Sequence, residues 1–223
     1  MSLGSNKAGF FEDTDNQLYI LGDVIDRNHQ GGVDILKWIM ETPNVELLLG
    51  NHEKMLLDSR WMLEDPVPVE VDARRERIRD CWLQHGADPT IAALQRESLA
   101  WRRELFAYLQ ARALWKAVKV QDRAYVLVHG GLGNFRRGKA LAQYTDSELL
   151  WERPYLTTKY DPDAYTVILG HTPTLLYGRK YQDRMLKANG WWNIDTGAAM
   201  SEGHPMLLCL DTGNEYYVAD EGM

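Results

Sequence analysis

The chain has 223 residues, a formal net charge of −7, a pI near 5.4 and an apolar content of 45%. This composition is typical of a globular protein and provides enough chain for one substantial core. The acidic balance argues against a nucleic-acid partner or an anionic membrane surface, because nothing would offset the repulsion of phosphates. An anionic substrate would therefore have to be captured locally, by metal ions and a few arginines.

No apolar run approaches the roughly 20 residues that a membrane-spanning helix needs, and no signal peptide is visible. The two cysteines, Cys81 and Cys209, lie far apart in apolar settings, which favours buried thiols in a reducing compartment over a disulfide. The sequence therefore predicts a cytoplasmic protein with no membrane partner. We expect one domain over residues 1–223.

The first part of the chain predicts a β-α-β unit. Residues 17–21 and 45–49 are strand-like, and residues 33–40 between them have the apolar spacing of a helix. A polar cluster follows each strand: Leu-Gly-Asp-Val-Ile-Asp-Arg at 21–27 and Leu-Gly-Asn-His-Glu at 49–53. Because ligands bind where the strands of an α/β sheet end, both clusters are candidate site segments.

The middle of the chain predicts helices. Residues 53–63 continue as a helix, and residues 72–115 are rich in Arg, Glu, Ala, Leu and Trp at helical spacing. We interpret the second stretch as two or three helices, with breaks near Gly86 and before Leu99. Because these helices lie between two site motifs, we expect them to form a helical cap insertion over residues 58–115.

The rest of the chain predicts strands at 117–120, 124–128, 166–169, 191–194, 206–209 and 216–218. Two of these strands run into a histidine next to glycine, namely His129 before Gly130 and His171 after Gly170. Such a histidine is held rigidly with its ring toward a cleft. The whole pattern predicts a mixed sheet, or two packed sheets, flanked by helices.

Four side chains at these strand ends form a candidate metal-ligand set: Asp23, Asn51, His129 and His171. Their mixed nitrogen and oxygen donors suit Mn²⁺, Fe or Zn²⁺, and the set lacks the thiolates of a structural zinc site. Each of the four residues could instead have a purely structural role, since aspartates occupy turns, asparagines cap helices and histidines occur in cores. Their combination with Arg27, which can fork onto a phosphate, favours a metal-assisted phosphoester site.

The chain resembles the metallophosphoesterase superfamily, specifically a bacterial serine/threonine protein phosphatase of the phosphoprotein phosphatase (PPP) type. Five motifs carry the resemblance in family order: Gly-Asp-Val-Ile-Asp-Arg at 22–27, Gly-Asn-His-Glu at 50–53, His-Gly-Gly-Leu at 129–132, Gly-His-Thr-Pro at 170–173 and Asn-Ile-Asp-Thr-Gly-Ala at 193–198. They span nearly the whole chain. The resemblance implies a metallophosphoesterase-like αββα sandwich of two mixed sheets flanked by helices, with a small helical cap.

The resemblance also implies two divalent metal ions, with Mn²⁺ favoured and Fe or Zn²⁺ as alternatives. Asp23 would bridge the two ions, and Asn51, His129 and His171 would complete the second. A hydroxide that bridges the ions would attack the phosphate ester.

Further roles follow from the same resemblance. His52 would protonate the leaving alkoxide, and Asp26 would orient His52. Arg27 would bind phosphate oxygens. Arg153 is the best candidate for a second phosphate-binding arginine, although a surface salt bridge is an equal alternative. Glu53 would support a neighbour or the helix start and would not contact metal.

One family motif is missing from the sequence. The family opens with a strand that ends in Gly-Asp-x-His-Gly and supplies an Asp and a His to the first metal, whereas neither Asp13 nor Asp15 has a His two positions on. A truncation or sequence artefact, a wrong gene start and a true loss of the first metal are the alternatives, and the first two are favoured. We expect weak or absent phosphatase activity from the chain as given. Asn28 also replaces the usual glycine, and the turn should tolerate it.

The expected function is hydrolysis of phosphoserine or phosphothreonine in proteins, with a small phosphoester as the other possible substrate. A symmetrical bis(5'-nucleosyl)-tetraphosphatase is the alternative enzyme. The pair Asp26 and Arg27, together with Glu53, modestly favours the protein phosphatase. A catalytically impaired phosphate-binding protein is the third hypothesis, and the missing motif is its sole support.

Overall fold

The computed structural model of the chain describes residues 4–5, 11–12, 15–27, 30–67, 70–200 and 203–217. Its contacts divide the chain into two units. Unit 1 comprises Met1–Leu48 and His52–Arg112, and unit 2 comprises Leu49–Asn51 and Ala113–Met223. The single domain expected over residues 1–223 stays a prediction. The replacement at Asn28 and most of the segment before Asp15 lie outside the described residues.

Unit 1 contains the predicted β-α-β unit. Strands β1 (Gly4–Ser5) and β2 (Phe11–Glu12) pair antiparallel, and β3 (Leu18–Ile20) pairs in parallel with β4 (Val45–Leu47). Helix α1 (Val33–Glu41) connects β3 to β4 and buries the apolar face that its spacing predicts.

The helices that follow β4 come in the predicted order, and apart from Asn51, the first residue of the first helix, they belong to unit 1. They are α2 (Asn51–Ser59), a 3₁₀ turn (Arg60–Leu63), α3 (Ala73–Gln84), α4 (Asp88–Arg96) and α5 (Leu99–Gln110). Asp72 caps α3 by accepting the amide hydrogens of Arg74 and Arg75, and Ser98 caps α5. The α3 helix ends at the expected break near Gly86, whose φ of 93° suits a helix C-terminal turn.

The predicted end of the helical insertion at residue 115 is wrong. Helix α5 ends at Gln110, and Trp115 begins strand β5 (Trp115–Val120). The reason is tertiary pairing, because β5 forms a six-residue antiparallel hairpin with β6 (Arg123–Val128), which overrides the local helical spacing. Whether the helices cover a pocket stays a prediction.

Unit 2 is built on a five-stranded mixed sheet of order β5-β6-β7-β9-β8. Its remaining strands are β7 (Thr166–Leu169), β8 (Leu186–Lys187) and β9 (Trp191–Asn193). Strands β6, β7 and β9 run in parallel, and both edge strands are antiparallel. The carboxyl ends of the three parallel strands therefore meet at one edge of the sheet, which is where the histidine motifs begin.

The remaining elements of unit 2 are short: helix α6 (Asp146–Leu150), 3₁₀ turns at Leu141–Gln143, Thr174–Tyr177 and Arg179–Tyr181, and the hairpin of β10 (Met206–Leu208) and β11 (Glu215–Tyr217). The predicted final strand extends to residue 218, which lies outside the described residues. The core of the unit centres on Val128, Val167, Leu169 and Trp191, all buried.

The molecule therefore has an α/β fold with a mixed sheet and flanking helices, as expected. The five-stranded sheet of unit 2 is mixed. In place of the second mixed sheet that was expected, the described residues of unit 1 show the parallel pair of β3 and β4. Cys81 and Cys209 are free thiols and are partly exposed, so the prediction that they are buried is wrong. Among the described residues, no helix is long and apolar enough to span a bilayer.

Candidate functional site

The loop after β3 has an unusual backbone. Asp23, Asp26 and Arg27 adopt φ angles of 58°, 68° and 57°, in the left-handed region that few side chains favour. Both carboxylate oxygens of the fully buried Glu53 accept hydrogen bonds from this loop, from the amides of Asp23 and Val24 at 2.8 Å each. Glu53 therefore supports a neighbouring loop, as predicted.

Asp26 and His52 form a buried pair in unit 1. His52 Nδ1 lies 2.6 Å from Asp26 Oδ2, and the two residues are 2% and 3% exposed. Arg27 Nη2 lies 3.1 Å from His52 Nε2. A guanidinium group can only donate, so Nε2 accepts and the ring proton is assigned to Nδ1, facing the carboxylate. The structure thus brings together three of the predicted catalytic side chains.

Two residues that the sequence analysis did not single out hold Asp26. Trp82 Nε1 donates to Asp26 Oδ2 at 2.8 Å, and Thr90 Oγ1 donates to Asp26 Oδ1 at 2.5 Å. The Asp26 amide donates back to Thr90 Oγ1 at 2.9 Å. Trp82 lies on α3 and Thr90 at the start of α4, so both belong to the helical insertion.

The same part of the insertion holds Arg27 through its backbone. The Arg27 amide donates to the carbonyl oxygen of Gly86 at 3.1 Å, and Arg27 Nε donates to the carbonyl oxygen of His85 at 3.2 Å. The exposed guanidinium group of Arg27 is thus held at Nε by the insertion and at Nη2 by His52. An exposed guanidinium group beside a histidine is suited to binding phosphate oxygens.

Asp23 lies beside His52 in unit 1. Its Oδ1 accepts the His52 amide hydrogen at 3.2 Å, and its Oδ2 lies 3.9 Å from His52 Nε2. The Asp23 side chain is 26% exposed. An acidic oxygen that reaches solvent beside a histidine is suited to metal ligation.

The other three predicted metal ligands converge in unit 2. Asn51 Oδ1 lies 2.9 Å from His129 Nε2, and His171 Nδ1 lies 3.1 Å from the same nitrogen. Asn51 and His129 are each 1% exposed. His129 directly follows β6, and His171 follows β7 with a φ of 65°.

The spacing of these three atoms fits a cation. Ligands at right angles around an octahedral cation, each at about 2.1 Å, lie about 3 Å apart. The observed separations of 2.9 Å and 3.1 Å agree with that value. A carbonyl oxygen and two imidazole nitrogens form a donor set that Mn²⁺, Fe and Zn²⁺ accept.

The loop that carries His171 is held by the last of the predicted motifs. The fully buried Asn193 donates from Nδ2 to the carbonyl oxygen of Thr172 at 2.7 Å, and its Oδ1 accepts the amide hydrogen of Asp195 at 2.8 Å. Gly170 donates its amide hydrogen to the carbonyl oxygen of His129 at 2.8 Å. The two histidine loops are therefore connected to each other and to the end of β9.

Arg153 lies beside the His171 loop. Its Nη1 donates to Thr172 Oγ1 at 2.8 Å and approaches the carbonyl oxygen of His171 at 3.4 Å. Both of these oxygens are neutral. A second arginine thus lies next to the histidine cluster of unit 2.

Arg153 also lines a cavity of about 500 Å³ in unit 2, together with Pro154, Tyr155, Leu156, Thr157, Thr172, Leu176 and Tyr177. The exposed side chains of Tyr155 and Leu176 form part of its apolar wall.

Burial raises the pKa of Tyr177, which also lines the cavity, above its ordinary value. Burial also raises the pKa of Glu152, and the nearby charge of Glu148 adds to that increase.

The chain is similar to known proteins in sequence pattern and in fold. A family model described as calcineurin-like phosphoesterase matches residues 7–197. A solved structure of a proposed diadenosine tetraphosphatase is similar, with 12% identity, a TM-score of 0.57 and coverage of 91% of this chain and 79% of that chain. A metallophosphoesterase from Sphaerobacter thermophilus is 12% identical, with a TM-score of 0.49 and coverage of 93% and 79%. Among curated protein sequences, none matches.

Proposed function

Because the chain belongs to the calcineurin-like phosphoesterase family, we propose that it is a metal-dependent phosphomonoesterase whose substrates are phosphoserine and phosphothreonine in proteins. The observation that supports this best is the convergence of Asn51 Oδ1 and His171 Nδ1 on His129 Nε2, at 2.9 Å and 3.1 Å. An amide oxygen and two imidazole nitrogens at these separations are suited to holding one divalent cation.

The proposed metal ligands are Asp23, Asn51, His129 and His171, with Mn²⁺ as the favoured ion. Divalent ions bound there would lower the pKa of coordinated water and offset the charge of the phosphoryl oxygens. The net charge of −7 makes this offset necessary, because the protein as a whole repels an anionic substrate.

The chain's own residues supply the remaining steps. Arg27 and Arg153 bind and orient the phosphoryl oxygens. When Arg27 turns from His52 Nε2 to the phosphate, that nitrogen becomes available to carry a proton. His52, with its Nδ1–H held by Asp26, then takes up a solvent proton at Nε2 and donates it to the leaving alkoxide, as a water oxygen bonds to phosphorus and the ester P–O bond breaks.

Absence of the Gly-Asp-x-His-Gly motif from the sequence bears on the activity that we propose. The resemblance gives Asn51, His129 and His171 to the second metal and makes Asp23 a bridge between both ions, so we expect the chain as given to bind the second ion and to bind the first poorly. Weak turnover is the expected result. Two tightly bound ions with brisk turnover would contradict this part of the proposal.

The test combines metal stoichiometry with turnover. We expect the chelator-treated protein to take up Mn²⁺ and to hydrolyse p-nitrophenyl phosphate slowly, and His129→Ala to lose both properties. His204→Ala is the matched control, because His204 pairs with Asp183 elsewhere in unit 2. Mn²⁺ uptake that is equal in His129→Ala and wild type would refute the site.

A symmetrical bis(5'-nucleosyl)-tetraphosphatase is the second candidate. The similar structure of a proposed diadenosine tetraphosphatase favours it, whereas Asp26, Arg27 and Glu53 favour the protein phosphatase. Rates on a phosphopeptide and on diadenosine tetraphosphate, measured side by side, decide between them. A phosphate-binding protein without turnover is the third candidate, and tight phosphate binding with no hydrolysis of either substrate would support it.

A further inference from the structure

We propose that Trp82 and Thr90, supplied by the helical insertion, are positioning residues that set His52 as the proton donor by fixing the carboxylate of Asp26. This inference rests on the role proposed for His52. Neither Trp82 nor Thr90 is among the predicted site residues. If the inference holds, the helical insertion helps to position the proton donor.

The contacts define both carboxylate oxygens of Asp26. Oδ2 accepts from His52 Nδ1 at 2.6 Å and from Trp82 Nε1 at 2.8 Å, while Oδ1 accepts from Thr90 Oγ1 at 2.5 Å. Asp26 is 3% exposed, and Trp82 and Thr90 are each 0% exposed. Water is therefore a poor substitute for any of these donors.

These contacts bear directly on the direction of the His52 ring. A carboxylate can rotate about its terminal torsion, which is broad for aspartate, unless both oxygens are held. Trp82 holds one oxygen and Thr90 holds the other, so the position of the Nδ1–H acceptor is fixed. Because the imidazole is rigid, a fixed acceptor at Nδ1 also fixes the direction in which Nε2 points.

Side-chain substitution can separate this role from simple folding. The insertion holds Arg27 through main-chain oxygens of His85 and Gly86, which changes at Trp82 and Thr90 leave in place. Trp82→Phe keeps an aromatic ring and removes Nε1–H. Thr90→Val keeps the shape and removes the hydroxyl, whereas Thr90→Ser restores it. Because the Thr90 hydroxyl also accepts the Asp26 amide hydrogen and contacts the Gly31 carbonyl oxygen, Trp82→Phe is the variant that changes the carboxylate contact alone.

The experiment compares two leaving groups. A serine alkoxide needs a proton to leave, whereas p-nitrophenolate leaves readily without one. We expect Trp82→Phe and Thr90→Val to lower kcat for a phosphoserine peptide about 10- to 100-fold with little change in KM. Turnover of p-nitrophenyl phosphate should stay within about 3-fold of wild type, and Thr90→Ser should recover most of the peptide activity.

Trp61→Phe is the matched control, since Trp61 is a buried tryptophan of unit 1 whose Nε1 has no hydrogen-bond partner among the described residues. It should change neither rate. Equal losses on both substrates in Trp82→Phe, or no loss on either, would overturn the proposal.

A second measurement does not depend on turnover. The Nδ1–H proton of His52, bonded to a buried carboxylate, should give a low-field proton NMR signal in the wild-type protein. We expect this signal to persist in Trp61→Phe and to broaden or vanish in Trp82→Phe and Thr90→Val. A wild-type protein that shows the signal without hydrolysing either substrate would count against the proposed function only, and an unchanged signal in both variants would refute the positioning role.

Discussion

Asp23, Asp26 and Arg27 share a left-handed backbone, which costs on the order of 1–3 kcal/mol for each non-glycine residue. Such a backbone persists only where its surroundings hold it. Glu53 accepts two amide hydrogens from the loop, while the Asp26 and Arg27 amides donate to Thr90 and Gly86. The strained segment, residues 23–27, thus carries two carboxylates and a guanidinium group.

Glu53 offers a direct test of that support. In Glu53→Gln the amide NH₂ would face a backbone N–H, so at least one buried donor would lose its acceptor. We expect the free energy of unfolding to fall by about 1–3 kcal/mol, measured by urea denaturation. Glu104→Gln, an exposed change on α5, should leave it unchanged. A Glu53→Gln protein as stable as wild type would mean that the loop does not need this carboxylate.

Asp26 allows a second test at the same scale. The amide of Asn cannot accept hydrogens at both positions as the carboxylate does, so Asp26→Asn should turn the His52 tautomer away from Nδ1–H. We expect kcat for a phosphoserine peptide to fall at least about 100-fold. Steady-state kinetics would measure this, with the exposed Asp80→Asn on α3 as control. Retained peptide turnover in Asp26→Asn would remove the acid–base role proposed for the pair.

At the scale of elements, periodicity predicted the β-α-β unit of residues 18–47 and the helices that follow it. The helical stretch that is predicted to reach residue 115 ends at Gln110 instead, because Trp115 pairs with Val128, a partner further along the chain that local helical spacing cannot reveal. The same limit applies to Trp82 and Thr90. Their contacts with Asp26 join residues that lie 56 and 64 positions apart in the sequence, so local spacing carries no signal of them.

Helix α6 carries a pH-sensitive N-terminus. The Thr145 amide, the Asn134 side chain and the Lys139 ammonium group, in order of effect, lower the pKa of the Glu148 carboxyl from 4.5 to about 2. Because the folded pKa is depressed, the ionised carboxylate stabilises the fold above about pH 4.5, and this contribution is lost as the pH falls toward about 2.

Glu148→Gln should therefore reduce the acid sensitivity of the protein. Between about pH 5.5 and about pH 3.5, the urea midpoint of wild type should drop further than that of Glu148→Gln. Glu41→Gln, an exposed change on α1, should behave as wild type. Equal drops in wild type and Glu148→Gln would show that the carboxylate contributes nothing to stability in this range.

At the scale of the whole molecule, metal binding and folding are linked. A cation that binds the native state and not the unfolded chain stabilises by about 2.7 kcal/mol at 100 times its Kd. For a chain of this size, that corresponds to a rise in Tm of roughly 5–10 °C. We expect chelator-treated wild type to gain such a shift with Mn²⁺, measured by thermal unfolding.

The variants decide which residues provide the shift. His129→Ala should abolish it and His204→Ala should keep it, because only His129 belongs to the three-donor cluster. Asp23→Ala is the informative case, since Asp23 belongs to unit 1 and the cluster to unit 2. A reduced shift in Asp23→Ala would support its proposed place among the ligands. A full shift in Asp23→Ala with none in His129→Ala would confine the metal to unit 2 and contradict the bridging role of Asp23.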